Sequence, residues 1–163
     1  MTALSKPPAH LYGLLRGRIN GLTPSAVGIW PTRGLPHVWG LLCDIGTSMG
    51  ILTLVALADG STSVYASYGG GLIGAGSRRP VAAATRALLS TVEHLLADFA
   101  PTDMSTLPDL PGEDTVSIVV LTYDGRRVAS APLDVVAQRG HPLAAAWMAI
   151  DAVLAQLRVV QAE

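Results

Sequence analysis

The residues with the clearest chemical potential form a glycine-rich segment, Gly69-Gly70-Gly71-Leu72-Ile73-Gly74-Ala75-Gly76-Ser77-Arg78-Arg79. A predicted strand leads into this segment and a predicted helix follows it. Glycines let a backbone approach a phosphate closely, and the amides at the start of a helix attract anions. Because two arginines lie beside them, we predict a surface that binds a ligand or a partner, formed by Gly69, Gly70, Gly71, Gly74, Gly76, Arg78 and Arg79.

The spacing Gly69-x-Gly71-x-x-Gly74 also matches a dinucleotide-binding fingerprint. Its surroundings disagree with that interpretation. The preceding strand belongs to antiparallel hairpins, Pro80 starts the helix six residues after the third glycine, and no acid follows at the end of a next strand. Three interpretations remain open: binding of another anion or nucleotide, a partner-facing loop, and a tightly packed connection.

Asp44 is the second candidate, because it precedes a Gly-Thr-Ser turn. The run 44–48 resembles the first phosphate loop of actin-like and sugar-kinase ATPases, and the first acidic strand of RNase H-like nucleases. The ATPases are far larger than 163 residues. The nuclease resemblance implies metal-dependent cleavage, which needs further carboxylates such as Asp124 and Asp151. The simpler interpretation of Asp44 is a carboxylate that caps a turn.

Two other patterns have the wrong context for catalysis. Gly46-x-Ser48-x-Gly50 matches a nucleophile elbow, but aliphatic strand residues follow it where a helix is required. No ligand spacing relates Cys43 to the four histidines, so no metal site is predicted. We assign no catalytic residue and no cofactor, which favours a non-catalytic protein.

Composition narrows the class of protein. The chain is half apolar and only 14% charged, as expected for one folded domain. Its net charge of -1 argues against nucleic acid as a partner, and its single cysteine excludes an internal disulfide, which predicts a cytoplasmic location. Asp44 and several glycines interrupt the longest apolar stretch, so no membrane span is predicted. Charge-poor, alanine-rich helices hint at apolar surface reserved for a partner.

The elements that position these residues follow from hydrophobic periodicity. Residues 1–37 are predicted as a tail at 1–8, a short helix at 10–19 and an irregular arm at 20–36, and residues 38–163 as one α+β domain. Strands are predicted at 38–45, 51–57, 62–68, 116–123 and 127–133. Long helices are predicted at 80–99 and 142–158, each with an apolar stripe.

The simplest assembly is a two-layer α/β sandwich in the order α-βββ-α-ββ-α. Its five-stranded, mainly antiparallel sheet carries both long helices on one face, and the arm or a partner covers the other face. This layout is similar to that of profilin-like and roadblock-like domains, although three strands then two reverses the roadblock order. We therefore expect an oligomeric protein-interaction or adaptor domain. The alternatives are an anion- or nucleotide-binding protein using the segment 69–79, and an RNase H-like nuclease using Asp44.

Overall fold

The structure is a computed structural model of the chain that describes residues 2–4, 9–103 and 105–163, with side chains from residue 11 onward. Most of the tail predicted at residues 1–8 therefore lies outside the described residues. The fold is α+β, as predicted, and its sheet is antiparallel throughout. In the described ranges, no helix has the length and apolar character needed to cross a membrane.

The sheet has more strands than the predicted five. Seven strands lie between residues 38 and 132, and a short N-terminal strand adds an eighth at one edge, in the order β1-β5-β4-β3-β2-β7-β8-β6. The strands are β1 (Thr2–Leu4), β2 (Val38–Thr47), β3 (Gly50–Leu57), β4 (Thr62–Ala66), β5 (Gly71–Ile73), β6 (Ala100–Thr102), β7 (Thr115–Thr122) and β8 (Gly125–Pro132). The prediction missed β1, β5 and β6 because three-residue strands are too short to show an alternating pattern.

The central strands form where apolar residues are most continuous. β2 is buried along nearly its whole length, because helices cover one of its faces and the N-terminal region covers the other. The hairpin between β3 and β4 turns at Asp59-Gly60, where Gly60 has a φ of 92° that suits a residue without a side chain. β7 and β8 are joined at Asp124-Gly125 in the same way, with a φ of 136° at Gly125.

Four α-helices accompany the sheet: α1 (Ala9–Asn20), α2 (Arg79–His94), α3 (Leu133–Val136) and α4 (Ala144–Ala162). The helix predicted at 80–99 ends early, and a 3-10 turn at Leu96–Asp98 follows it. This tighter turn lets Phe99 enter the core, where it is 1% exposed, immediately before β6. α4 begins two residues later than predicted and extends to Ala162.

The two long helices, α2 and α4, pack side by side on one face of the sheet, as predicted. The arm at 21–36 covers the opposite face, which was one of the two predicted covers, and α1 lies there with it, so the two-layer description is incomplete. Tyr12 from α1 and Ile29 from the arm are buried against Trp39 and its neighbours in a second apolar cluster. The sheet therefore lies between two layers, and the helix pair α2/α4 has its outer side free of any other described element.

Candidate functional site

The predicted glycine-rich surface divides between a hairpin and a helix entrance. Gly69 and Gly70, with φ values of 101° and 93°, form the turn that joins β4 to β5. The Gly69 amide donates to the Ala66 carbonyl at 3.1 Å, so the turn uses it internally. The three glycines 69–71 line a cleft of about 240 Å³ against the end of α4, where Arg158 and Gln161 form the other wall.

Close backbone packing explains two of the remaining glycines. A Cβ at Gly71 would collide with the Val64 carbonyl oxygen of β4, and one at Gly76 would collide with the Gly60 carbonyl of the neighbouring hairpin. The Gly74 amide donates to the Ser63 hydroxyl at 3.3 Å. Gly71 and Gly76 are therefore glycine for reasons of packing, and Gly74 has a φ of 75°, which favours a residue without a side chain.

The two predicted arginines lie at the start of α2, and neither of them lines the cleft. Arg78 is the residue before the helix, and its guanidinium contacts the Glu163 carboxylate at 2.5 Å. Arg79 is the first helical residue and is exposed. The structure thus places Gly69, Gly70 and Gly71 in one cleft wall, whereas Arg78 and Arg79 are not part of the cleft lining. The Arg78 contact shows that α2 and α4 run antiparallel, because it joins the start of one to the end of the other.

Asp44 lies in the middle of β2 and caps no turn, so the turn-capping interpretation is wrong. Its Oδ1 accepts hydrogen bonds from Arg16 Nη1 at 2.8 Å and from the Thr53 hydroxyl at 2.7 Å. The Tyr12 hydroxyl contacts Thr53 Oγ1 at 2.7 Å, and Arg16 Nη2 donates to the Pro108 carbonyl. This buried network attaches α1 to the sheet.

The carboxylates and histidines that the structure describes do not assemble into a metal centre. No group of three or more potential ligands occurs within the described ranges. Burial raises the pKa of the Asp44 carboxyl, and the adjacent Arg16 guanidinium only partly opposes this. The His37 ring instead contacts the Glu93 carboxylate at 2.6 Å. Cys43 is fully buried, and burial raises the pKa of its thiol, so it does not provide a reactive thiolate.

The outer face of α4 is a feature that the sequence-based prediction did not include. The inner face is buried against the sheet through Ala146, Ile150, Val153, Leu154, Leu157 and Val160. The opposite face is also apolar, although a surface helix normally places polar residues there. We call it the outer stripe, and it consists of Ala145, Met148, Ala152, Ala155, Val159 and Ala162.

The outer stripe has the spacing of a helix–helix interface. Its members are separated alternately by three and four residues, which is the pattern of the contact seam in coiled coils. Met148 is 70% exposed and Val159 is 57% exposed, and within the stripe only Ala155 is half-buried. The stripe runs for about 26 Å along the helix, given a rise of about 1.5 Å per residue.

Charged side chains flank the stripe on one side. Asp151 and Arg158 lie seven residues apart and therefore on the same side of α4. Their side chains are 62% and 65% exposed, and their nearest charged atoms are 3.9 Å apart. A continuous apolar seam with a charged border is the usual composition of a helical docking face.

This second stripe was visible in the sequence. The prediction for 142–158 considered only the buried stripe, whose larger side chains include Ile150 and Leu157. The outer stripe consists mostly of alanine, which is also common in helices for its high propensity. The sequence signal for this stripe is the pair Met148 and Val159. Both are apolar at positions where a surface helix normally carries a charged residue.

Comparisons of the chain with protein-family profiles, with curated proteins and with solved structures find no match.

Proposed function

We propose that this protein is a non-catalytic interaction module that binds another polypeptide through the outer stripe of α4. The observation that carries the proposal is a surface helix that is apolar on both faces. A surface helix normally places polar residues on its outer face, so a continuous apolar stripe there favours a covering partner. Met148 and Val159 gain the most from such a cover, because each exposes more than half of its surface.

The surroundings of the stripe favour a protein partner over a small molecule. The stripe lies on a convex helix, whereas small-molecule sites are concave. The adjacent helix α2 also exposes small side chains, at Ala83 and Ala87, which allow another helix to approach closely. The layout resemblance to profilin-like and roadblock-like domains and the cytoplasmic location stay predictions that accompany this proposal.

The two alternative functions receive less support. An anion site at 69–79 would need free amides, but those of Gly69 and Gly74 donate within the chain. A metal-dependent nuclease would need Asp44 to coordinate cations, but the Asp44 carboxylate forms a salt bridge with Arg16. Phosphate or Mg²⁺ would therefore change the melting temperature of the protein little.

Site-specific photo-crosslinking in the native host tests the proposal. A photoreactive residue replaces Met148 in one variant and Leu14 in a matched control. Leu14 is 61% exposed and lies on α1, on the other side of the sheet. We expect covalent adducts with a discrete protein from position 148 and none from position 14. The proposal is wrong if position 148 forms no more adducts than position 14.

A further inference from the structure

The outer stripe has almost the same pattern in both directions. From the N-terminal end its first half is Ala145, Met148 and Ala152, and from the C-terminal end its second half is Ala162, Val159 and Ala155. Each half therefore presents a small, a large and a small apolar side chain in that order. When two such helices pack antiparallel about a two-fold axis, each position faces its counterpart from the opposite end of the stripe, so small residues face small ones and large residues face large ones.

We propose that the partner of the outer stripe is a second copy of this chain, whose α4 packs antiparallel to the first. This inference rests on the proposed function and names the partner. In this pairing Met148 lies opposite the partner's Val159, and Ala152 lies opposite the partner's Ala155. The small central residues let the two helices approach closely, and the larger Met148 and Val159 fill the space towards each end.

The charged border gives an independent reason for this orientation. In the antiparallel pair Asp151 faces the partner's Arg158, and the two-fold axis repeats that ion pair. In a parallel pair Arg158 would face Glu163 of the partner subunit, while Asp151 would face an uncharged glutamine. Glu163 already contacts Arg78 within its own chain, whereas Arg158 has only the loose contact with Asp151. In the antiparallel pair, Asp151 and Arg158 of both copies are therefore all paired with an opposite charge.

Charge reversal combined with sedimentation equilibrium tests the pairing. We expect the unmodified protein to be a dimer. Asp151→Arg and Arg158→Asp each replace two attractive pairs by two repulsive ones, so each should weaken dimerisation about tenfold. The double variant restores opposite charges across the axis, and its dissociation constant should return to within about twofold of the original. Asp109→Arg, in an exposed loop, controls for the change in net charge that Asp151→Arg makes, and Arg79→Asp, at an exposed position, controls for that of Arg158→Asp.

Each outcome decides a separate point. A chain that stays monomeric up to its solubility limit overturns self-pairing, whereas adducts of position 148 with a different protein would still uphold the proposed function. Single variants that dimerise as well as their charge-matched controls also overturn it. A double variant that stays as weak as the single variants overturns the antiparallel orientation, because in a parallel pair the carboxylate introduced at position 158 would still face Glu163 of the partner subunit. Circular dichroism verifies that every variant is folded.

Discussion

Replacing Arg16 by Met isolates the contribution of the buried charge pair that attaches α1 to the sheet. The guanidinium of Arg16 lies 2.8 Å from Asp44 Oδ1, and the two side chains are 14% and 1% exposed. The Met side chain keeps much of the apolar stem of Arg16 and removes only its charge and hydrogen bonds. After the substitution, the Asp44 carboxylate stays buried, with the Thr53 hydroxyl as its remaining donor.

The expected loss at pH 7 follows from this burial. Breaking a buried ion pair by removing one partner costs about 3–5 kcal/mol, because an uncompensated charge is left behind. Arg16 is partly exposed, so we expect the lower end, about 3 kcal/mol in the free energy of unfolding. Adding Asp44→Asn removes the second charge, and the double variant should recover about half of that loss.

The loss of stability in the Arg16→Met variant should be larger at pH 7 than near pH 4. Burial raises the pKa of Asp44 above its ordinary value of 3.8, and Arg16 opposes that rise. Without Arg16 the native pKa rises further, so the native state holds a proton where the unfolded chain has released it. The stability of the Arg16→Met variant therefore falls as pH increases above about 4, and its deficit should shrink when the pH is lowered towards that value.

Urea unfolding followed by tryptophan fluorescence at pH 7 and pH 4.5 measures both effects, with the protein concentration fixed because the proposed dimerisation would contribute to stability. Arg18→Met is the matched control, since Arg18 is exposed on the same helix, and it should change stability by less than about 0.5 kcal/mol. A loss below about 1 kcal/mol at pH 7, or an equal loss at both pH values, would refute the assignment of Arg16–Asp44 as a buried charge pair.

Three further predictions concern the fold. Gly76→Ala should destabilise the protein by about 1–3 kcal/mol in urea unfolding, because its Cβ would meet the Gly60 carbonyl, whereas Gly112→Ala, with open space around it, should cost less than about 0.5 kcal/mol. Tyr12→Phe should cost about 1 kcal/mol, because it removes the hydroxyl that contacts Thr53, and the same assay measures it. Cys43 should resist maleimide at neutral pH until urea unfolds the chain, and rapid labelling of the native protein would show that this strand is less buried than described.

The sequence predicts the long elements well because their patterns are long. Ten residues of β2 and sixteen of α2 carry enough periodic positions to define a strand and a helix. The short strand β5 carries no such pattern, since its pairing depends on Gly71 approaching β4 closely. That contact is a tertiary event, which local propensity does not encode.

The candidate site was harder to predict because its residues are chemically ordinary. The glycines and arginines at 69–79 are residue types common in anion sites. Gly71 and Gly76 are nevertheless glycine because a Cβ there would collide with neighbouring backbone. The outer stripe is made of Ala, Met and Val, and its meaning depends on which face of α4 the sheet covers. The predicted stripe with Ile150 and Leu157 is indeed buried, but only the fold shows that no other described element covers the opposite face.

Thiol labelling of a Met148→Cys variant tests the role of the outer stripe most directly. The native Cys43 is fully buried, so the introduced thiol should be the reactive one. If the stripe is the contact between two copies, labelling at position 148 should be slow in concentrated protein and accelerate on dilution, while a Leu14→Cys control should react rapidly at every concentration. Equal and concentration-independent labelling at both positions would contradict the account.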